Sequence, residues 1–209
     1  MLVLLPIGCG STEDETVEPI EGNTSGDTTV ESTGEVPPVP MSKPARWDPI
    51  AFNRERGNAG AIPESYLQSI NGPDGTAKHL GKHLPYWPEL EGLGPPEGMV
   101  ALMWGDPTKG HARHPNAPVT EGNPDGHWYD WIRIRKATDG DAEEVESRFP
   151  AWPGEGFLVQ GGGELTAEDG KNTVYLARLP SNAGPGDEIR IHAHCLTHGE
   201  YVDFLTLPA

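Results

Sequence analysis

The chain has 209 residues, enough for one domain with a sizeable core plus tails. Its 27 Gly and 22 Pro make up about a quarter of it, which argues against a helix bundle and for short strands joined by turns. The formal charge of −17 speaks against nucleic acid or an anionic membrane surface as a partner, and any site for a small anion would need local positive charge.

Met1 to Gly8 is apolar and runs into Cys9-Gly10-Ser11. An apolar run, a small residue, Cys and a polar tail resemble the end of a bacterial lipoprotein signal, with Cys9 as the lipidated residue. The fit is incomplete: a basic start is missing, the run is short and Pro6 interrupts it. A start codon placed too late would account for the missing basic and apolar part. Residues 1–10 therefore read as a truncated lipoprotein signal, and the protein as extracytoplasmic, periplasmic or membrane-tethered.

Residues 11–42 are rich in Ser, Thr, Glu, Gly and Pro. Eight acids and no Lys or Arg fall within 11–35, leaving a formal −9 on the remainder. Such a segment buries too little apolar surface to offset chain entropy and reads as a disordered acidic linker. Val36-Pro-Pro-Val-Pro40 closes it as a stiff extended piece.

The composition changes from Lys43, and 43–209 reads as the folded domain. Pro63 to Ile70 suits a short helix, with Pro near its start and Asn71-Gly72 ending it. Beyond it, apolar runs at 84–87, 99–104, 127–135, 156–160, 172–179, 187–195 and 200–207 are separated by Gly/Pro turns. Seven short strands at this spacing predict an all-β, immunoglobulin-like antiparallel sandwich. No run of 18 apolar residues is present, so no spanning helix is expected.

The chemistry concentrates in His192-Ala-His-Cys-Leu-Thr-His198-Gly199. Cys195 and His198 can reach one metal ion if the chain turns between them, and Gly199 eases that turn. With Cys9 far away in a different setting, the two cysteines do not form a disulfide framework. Upstream lie Lys82-His83-Leu-Pro85, His114-Pro-Asn116 and His127-Trp-Tyr-Asp-Trp131. Four imidazoles and a thiolate would give a five-coordinate site with one open position, suited to iron, copper or zinc.

These four motifs, in this order and closing on Cys-x-x-His-Gly, resemble the superoxide reductases (desulfoferrodoxin and neelaredoxin) over roughly residues 75–207. The resemblance implies a mononuclear non-haem iron with His83, His114, His127 and His198 as equatorial ligands and Cys195 as the axial thiolate. Lys82 matches the lysine that draws superoxide in. In the family, superoxide takes one electron and two protons and leaves as hydrogen peroxide. Two-iron members carry a rubredoxin-like domain with four further cysteines. This chain has none to spare, so it would be the one-iron type and need an external donor such as a rubredoxin-like protein. Homo-oligomers are common in the family.

Two departures stand out. Gly81 occupies the place where the family often has a glutamate, a role that Glu121 could take instead. His114 and His127 are thirteen residues apart, about twice the family's gap, so Ala117–Gly126 reads as a longer loop that leaves both ligands in place.

The other histidines are read differently. His79 also follows a lysine, but Leu-Pro after His83 favours the latter, and His111 reads as a solvated loop residue. Alternation places Ile189, Ile191, Ala193 and Cys195 on one face of a strand and Arg190, His192 and His194 on the other, facing outward. The same rule puts His127, Tyr129 and Trp131 on one face and Trp128, Ile132 and Ile134 on the opposite one. Two other functions are compatible with the residues: a blue-copper-like electron carrier, which lacks the expected Met after His198, and a non-catalytic copper or zinc module.

Overall fold

The computed structural model describes residues 35–70, 78–90, 92, 94–140 and 143–209. The stretch expected to be a lipoprotein signal with Cys9, most of that expected to be an acidic linker, and the Asn71-Gly72 expected to end a helix lie outside them.

Among the described residues, three short α-helices precede the sheets: α1 (Pro49–Arg56), α2 (Glu64–Ile70) and α3 (Lys78–Gly81). Asp48 starts α1 as an N-cap, its carboxylate accepting from the Ile50 and Ala51 amides at 2.9 and 3.1 Å, with Pro49 at the first position, where its missing N–H costs nothing. Eight strands follow: β1 (Pro85–Tyr86), β2 (Met99–Trp104), β3 (Tyr129–Lys136), β4 (Glu144–Arg148), β5 (Phe157–Val159), β6 (Thr173–Arg178), β7 (Glu188–Cys195) and β8 (Gly199–Thr206).

They form two four-stranded sheets, ordered β1-β2-β6-β5 and β4-β3-β7-β8, every pairing antiparallel. Taken in chain order as A to G with one extra strand after C, these are the ABED and CFG sheets of an immunoglobulin-like sandwich. The inner faces bury Leu102, Ile132, Ile134, Ile189, Ile191, Tyr175 and Phe149 to 1% exposure or less. Among the described residues, no helix is long and apolar enough to cross a membrane.

The expected seven strands are all present, and the eighth, β4, was hidden in Glu-Val-Glu-Ser-Arg. Three of its five side chains are charged because they face outward. Val145 pairs with Ile134, and Glu146 meets Arg133 across the ladder at 2.7 Å.

One parity expectation and one expectation of exposure are overturned. Tyr129 is fully buried in the core, whereas Trp131 packs on the outer face against His192 and His194. The β3–β7 register shifts between Tyr129 and Trp131, and the extra residue of such a bulge sends the two to opposite faces.

Nor do Arg190 and His192 face solvent, being only 6% and 8% exposed. Residues 40–56 cover the outer face of the second sheet. The Pro40 carbonyl accepts from Arg190, the Trp47 indole donates to Asp203 at 2.7 Å, and Arg56 meets Glu200 at 3.0 Å. Asn53, fully buried, clamps β8 by donating to the Val202 carbonyl and accepting from the Val202 amide, both at 2.8 Å. The apolar side of this cover is Trp47, with Phe52 and Phe204 each 4.8 Å from its ring. Pro40, which lies within the stretch expected as linker, thus belongs to this cover. Alternation alone cannot reveal a second layer over a sheet, because a polar outer face reads the same whether water or a paired segment lies above it.

Candidate metal centre

Four separate pieces of chain bring donors to one end of the sandwich. The turn after α3 supplies His83, the loop after β2 His114, the entry to β3 His127, and the β7–β8 turn Cys195 and His198. Their five donor atoms all lie within 4.8 Å of one another. The His83 and His127 Nε2 atoms each stand 3.0 Å from His198 Nδ1. Cys195 Sγ lies 3.5 Å from His114 Nε2 and 3.7 Å from His198 Nδ1.

The far side of three of these rings is occupied by an acceptor, which fixes the tautomer. His83 Nδ1–H donates to the His79 carbonyl at 2.8 Å. His114 Nδ1–H donates to Asn116 Oδ1 at 3.2 Å. His127 is held by the backbone of Pro115, which has only a carbonyl to offer. A neutral imidazole has one N–H, so all three Nε2 atoms turn bare lone pairs toward the cluster. His198 Nδ1, between two of them, can satisfy at most one with its own proton. Convergent lone pairs repel unless a cation lies among them. Two nitrogens about 2.1 Å from a common ion and at right angles to each other stand about 3.0 Å apart, the separation found here twice. Four imidazoles and one thiol fit iron, copper or zinc.

A second layer holds these donors. Asn116, 6% exposed, donates to the Gly170 carbonyl at 2.7 Å and accepts from the Tyr175 hydroxyl, so its Oδ1 is fixed under His114. Gly170 is required, since a Cβ there would stand 2.1 Å from the Asn116 carbonyl. Tyr201 stacks on His83 at 4.4 Å and donates to the His198 carbonyl at 2.9 Å. Tyr175 and Tyr201 were not singled out in the sequence. Only their place on the inner faces of β6 and β8 marks them, and many core aromatics share it.

Burial sets the electrostatics. It pushes His83 and His114 well below the ordinary histidine range, with the neighbouring imidazoles adding to the effect. Burial likewise lowers His127 to about 4 and His198 to about 3. All four are therefore neutral, as ligands must be. The buried Cys195 thiol is pushed up to about 12, although the Thr197 and His198 amides and Lys82 work in the opposite direction. Those two amides point at the sulfur, the arrangement that stabilises a thiolate once a metal binds.

A sign follows for stability. An unfolded histidine takes up a proton near pH 6.5, whereas these folded ones resist until far lower. The unfolded state thus binds more protons in that window, and the folded state weakens as pH falls. We expect the urea midpoint of the metal-free protein to be highest above pH 6.5 and to drop steadily toward pH 4. The slope is at most about 1.4 kcal/mol per pH unit per histidine, and less for the partly exposed His127 and His198. A midpoint that stays flat across this range would mean that the rings are protonated in place.

His83, His114 and Cys195 are almost fully buried, whereas His127 and His198 are only partly so. Solvent therefore reaches the cluster from the His127–His198 side. Lys82, half-buried, acts there: its charge depresses all four imidazoles and favours the Cys195 thiolate.

The remaining sequence candidates sort clearly. His79 contributes its carbonyl rather than its ring. His194 bonds Asp130 at 2.6 Å, and His192 bonds Glu200 at 2.9 Å, both outside the cluster. Glu121 is exposed and also outside it. Ala117–Gly126 forms a small hairpin, closed by Ala117–His127 and Thr120–Asn123 bridges, so His114 and His127 meet despite the long insert. His111 is not freely solvated: its ring lies on the Gly81 backbone, where any Cβ would come within 2.4 Å.

No family model matches the chain, and no curated protein matches it in sequence. Among solved structures it is similar to a superoxide reductase (neelaredoxin) from Ignicoccus hospitalis. The match covers 71% of this chain and 89% of that one, at 12% identity and a TM-score of 0.30. At that distance the likeness is faint. What the chain itself presents is an immunoglobulin-like β-sandwich with a four-histidine, one-cysteine cluster at one end, in the motif order that resembles the superoxide reductases.

Proposed function

We propose that this chain is a one-iron superoxide reductase. The observation that carries the reading is the convergence of His83, His114, His127, His198 and Cys195 donor atoms within 4.8 Å, with Lys82 beside the partly open side. Iron, when bound, would supply one electron to superoxide. The protein's own groups do the rest. His83, His114, His127 and His198 would hold it through neutral nitrogens, and Cys195, ionised on metal binding, would add an anionic sulfur that donates electron density. The Thr197 and His198 amides temper that sulfur.

Lys82 gives an acidic protein a local positive potential, and a small anion follows local potential rather than net charge. Burial lowers its pKa, while an ionised Cys195 raises it, so the ammonium is better kept when the thiolate is present. The overall change is superoxide plus one electron and two protons giving hydrogen peroxide. An external donor, for example a rubredoxin-like protein, must then return the electron. The extracytoplasmic, lipid-anchored placement through Cys9 belongs to this proposal on sequence grounds alone.

The test is stoichiometry. Iron-reconstituted, pre-reduced protein given a superoxide pulse should yield one peroxide per superoxide consumed and one ferric iron per peroxide. One peroxide per two superoxide, with iron unchanged at the end, would be dismutation. Stoichiometric zinc or copper, or iron inert to superoxide, would leave a metal-binding module and end the reductase reading.

A further inference from the structure

The helix over residues 64–70 lies outside the stretch that resembles the reductases, yet one of its side chains reaches the metal centre. Its entry is fixed by a close approach: Ala61–Pro63 passes so near Gly199 that a Cβ there would meet the Ala61 carbonyl at 2.3 Å. Ile62, Ile70 and Leu80, each at 1% exposure or less, anchor the helix in the core. Tyr66, 8% exposed, is thereby laid over the cluster.

Its ring sits 3.9 Å from the His198 ring, tilted by 32°, and 5.5 Å edge-on from His83. The Lys82 Nζ stands 5.5 Å from the same ring's centroid. The Tyr66 hydroxyl donates at 3.3 Å to the His79 carbonyl, which also accepts from His83 Nδ1. One aromatic side chain therefore touches a donor ring, the cation beside the site and the acceptor that fixes a second donor.

We propose that Tyr66 is a positioning residue for this centre, clamping the His198 imidazole and the Lys82 ammonium against its ring. The inference rests on the reductase reading for its kinetic consequence, though not for the clamp itself. Lysine's four-carbon stem is flexible and would otherwise spread its charge over many rotamers. The electron-rich ring face holds the ammonium within cation–π distance, and the charge stays beside the open side of the cluster. Phenylalanine keeps both ring contacts and loses only the hydroxyl bond. Leucine fills space but offers no π face. A role confined to packing would not separate these two variants at Lys82.

The first measurement needs no iron. Lysines of the full-length, metal-free protein are dimethylated with 13C-formaldehyde, and the Lys82 resonance is assigned through Lys82→Arg. A clamped Lys82 shows an upfield ring-current shift in the wild type and in Tyr66→Phe, lost in Tyr66→Leu. The second measurement is the rate with superoxide across ionic strength in iron-loaded protein. Tyr66→Leu should be about tenfold slower at low salt, with a flatter salt dependence, and Tyr66→Phe within about twofold of wild type. A wild-type Lys82 resonance at the ordinary exposed-lysine position overturns the clamp without any variant, so a Tyr66→Leu that fails to fold does not protect it. A folded Tyr66→Leu with wild-type rate and salt dependence overturns it as well. Iron that never reacts with superoxide sinks the reductase reading alone, because the resonance still decides the clamp.

Discussion

Cys195→Ser will abolish the thiolate-to-ferric absorption of the iron-loaded protein and weaken metal binding by about 100-fold or more, beyond the roughly 10–100-fold typical of losing a supporting group. Cys195 is fully buried, between His114 Nε2 and His198 Nδ1. Without metal its thiol stays protonated, pushed up to about 12 by that burial, so metal binding releases a proton and creates the anion in place. Serine cannot follow, because its hydroxyl ionises far less readily, and the cation would face four neutral nitrogens and no compensating charge. The fold should survive, since the hydroxyl adds about 1–3 kcal/mol of desolvation cost at most. Circular dichroism and the urea midpoint separate loss of the site from loss of the fold. A visible band that persists in the serine variant would show that the sulfur is not a ligand.

Gly199→Ala should be among the most damaging single substitutions in the chain. Gly199 adopts φ +80°, and an added Cβ would meet the Ala61 carbonyl at 2.3 Å and Ile62 Cα at 3.0 Å. Both obstacles are backbone, which cannot rotate away. Gly186 is the matched control: it has φ +81° and nothing within 4 Å, so alanine there carries only the left-handed conformational cost of about 1 kcal/mol. We expect Gly199→Ala to cost about 3 kcal/mol more than Gly186→Ala, or roughly 6–12 °C in Tm for a chain of this size. It should also lower metal affinity, because the approach it blocks seats Tyr66 over His198. Equal Tm values for the two variants would mean that the 61–63 segment moves aside freely.

Of the fold, the strands were legible because short apolar runs between Gly/Pro turns admit few other readings. β4 was missed since its outward Glu144, Glu146 and Arg148 outnumber Val145 and Ser147. Its partner β3 supplies the pairing that makes it a strand. Parity worked along β7, where Ile189, Ile191, Ala193 and Cys195 all face inward. It failed at Tyr129–Trp131, where a bulge resets the count and no residue type announces it. In the centre, the five donors were legible through a motif order that resembles the superoxide reductases, and the Leu-Pro that follows His83 sets it apart from His79. No neighbouring residue marks that position 81 has no room for a side chain: the obstacle is the His111 ring packed against Gly81, a contact between segments about thirty residues apart.

The sequence by itself determined the sandwich, which follows from alternation and turn residues, and pointed to the five convergent side chains through motifs whose order resembles the superoxide reductases, together with the chemistry of imidazole and thiol. Only the tertiary structure decided that residues 40–56 cover the outer face of the second sheet, that Asn116 and Tyr201 hold the donor rings and that Tyr66 lies against both His198 and Lys82. Those contacts join stretches far apart in the chain. Their energy comes from close packing and paired polar groups that no single stretch contains, and a sequence read stretch by stretch carries no mark of them.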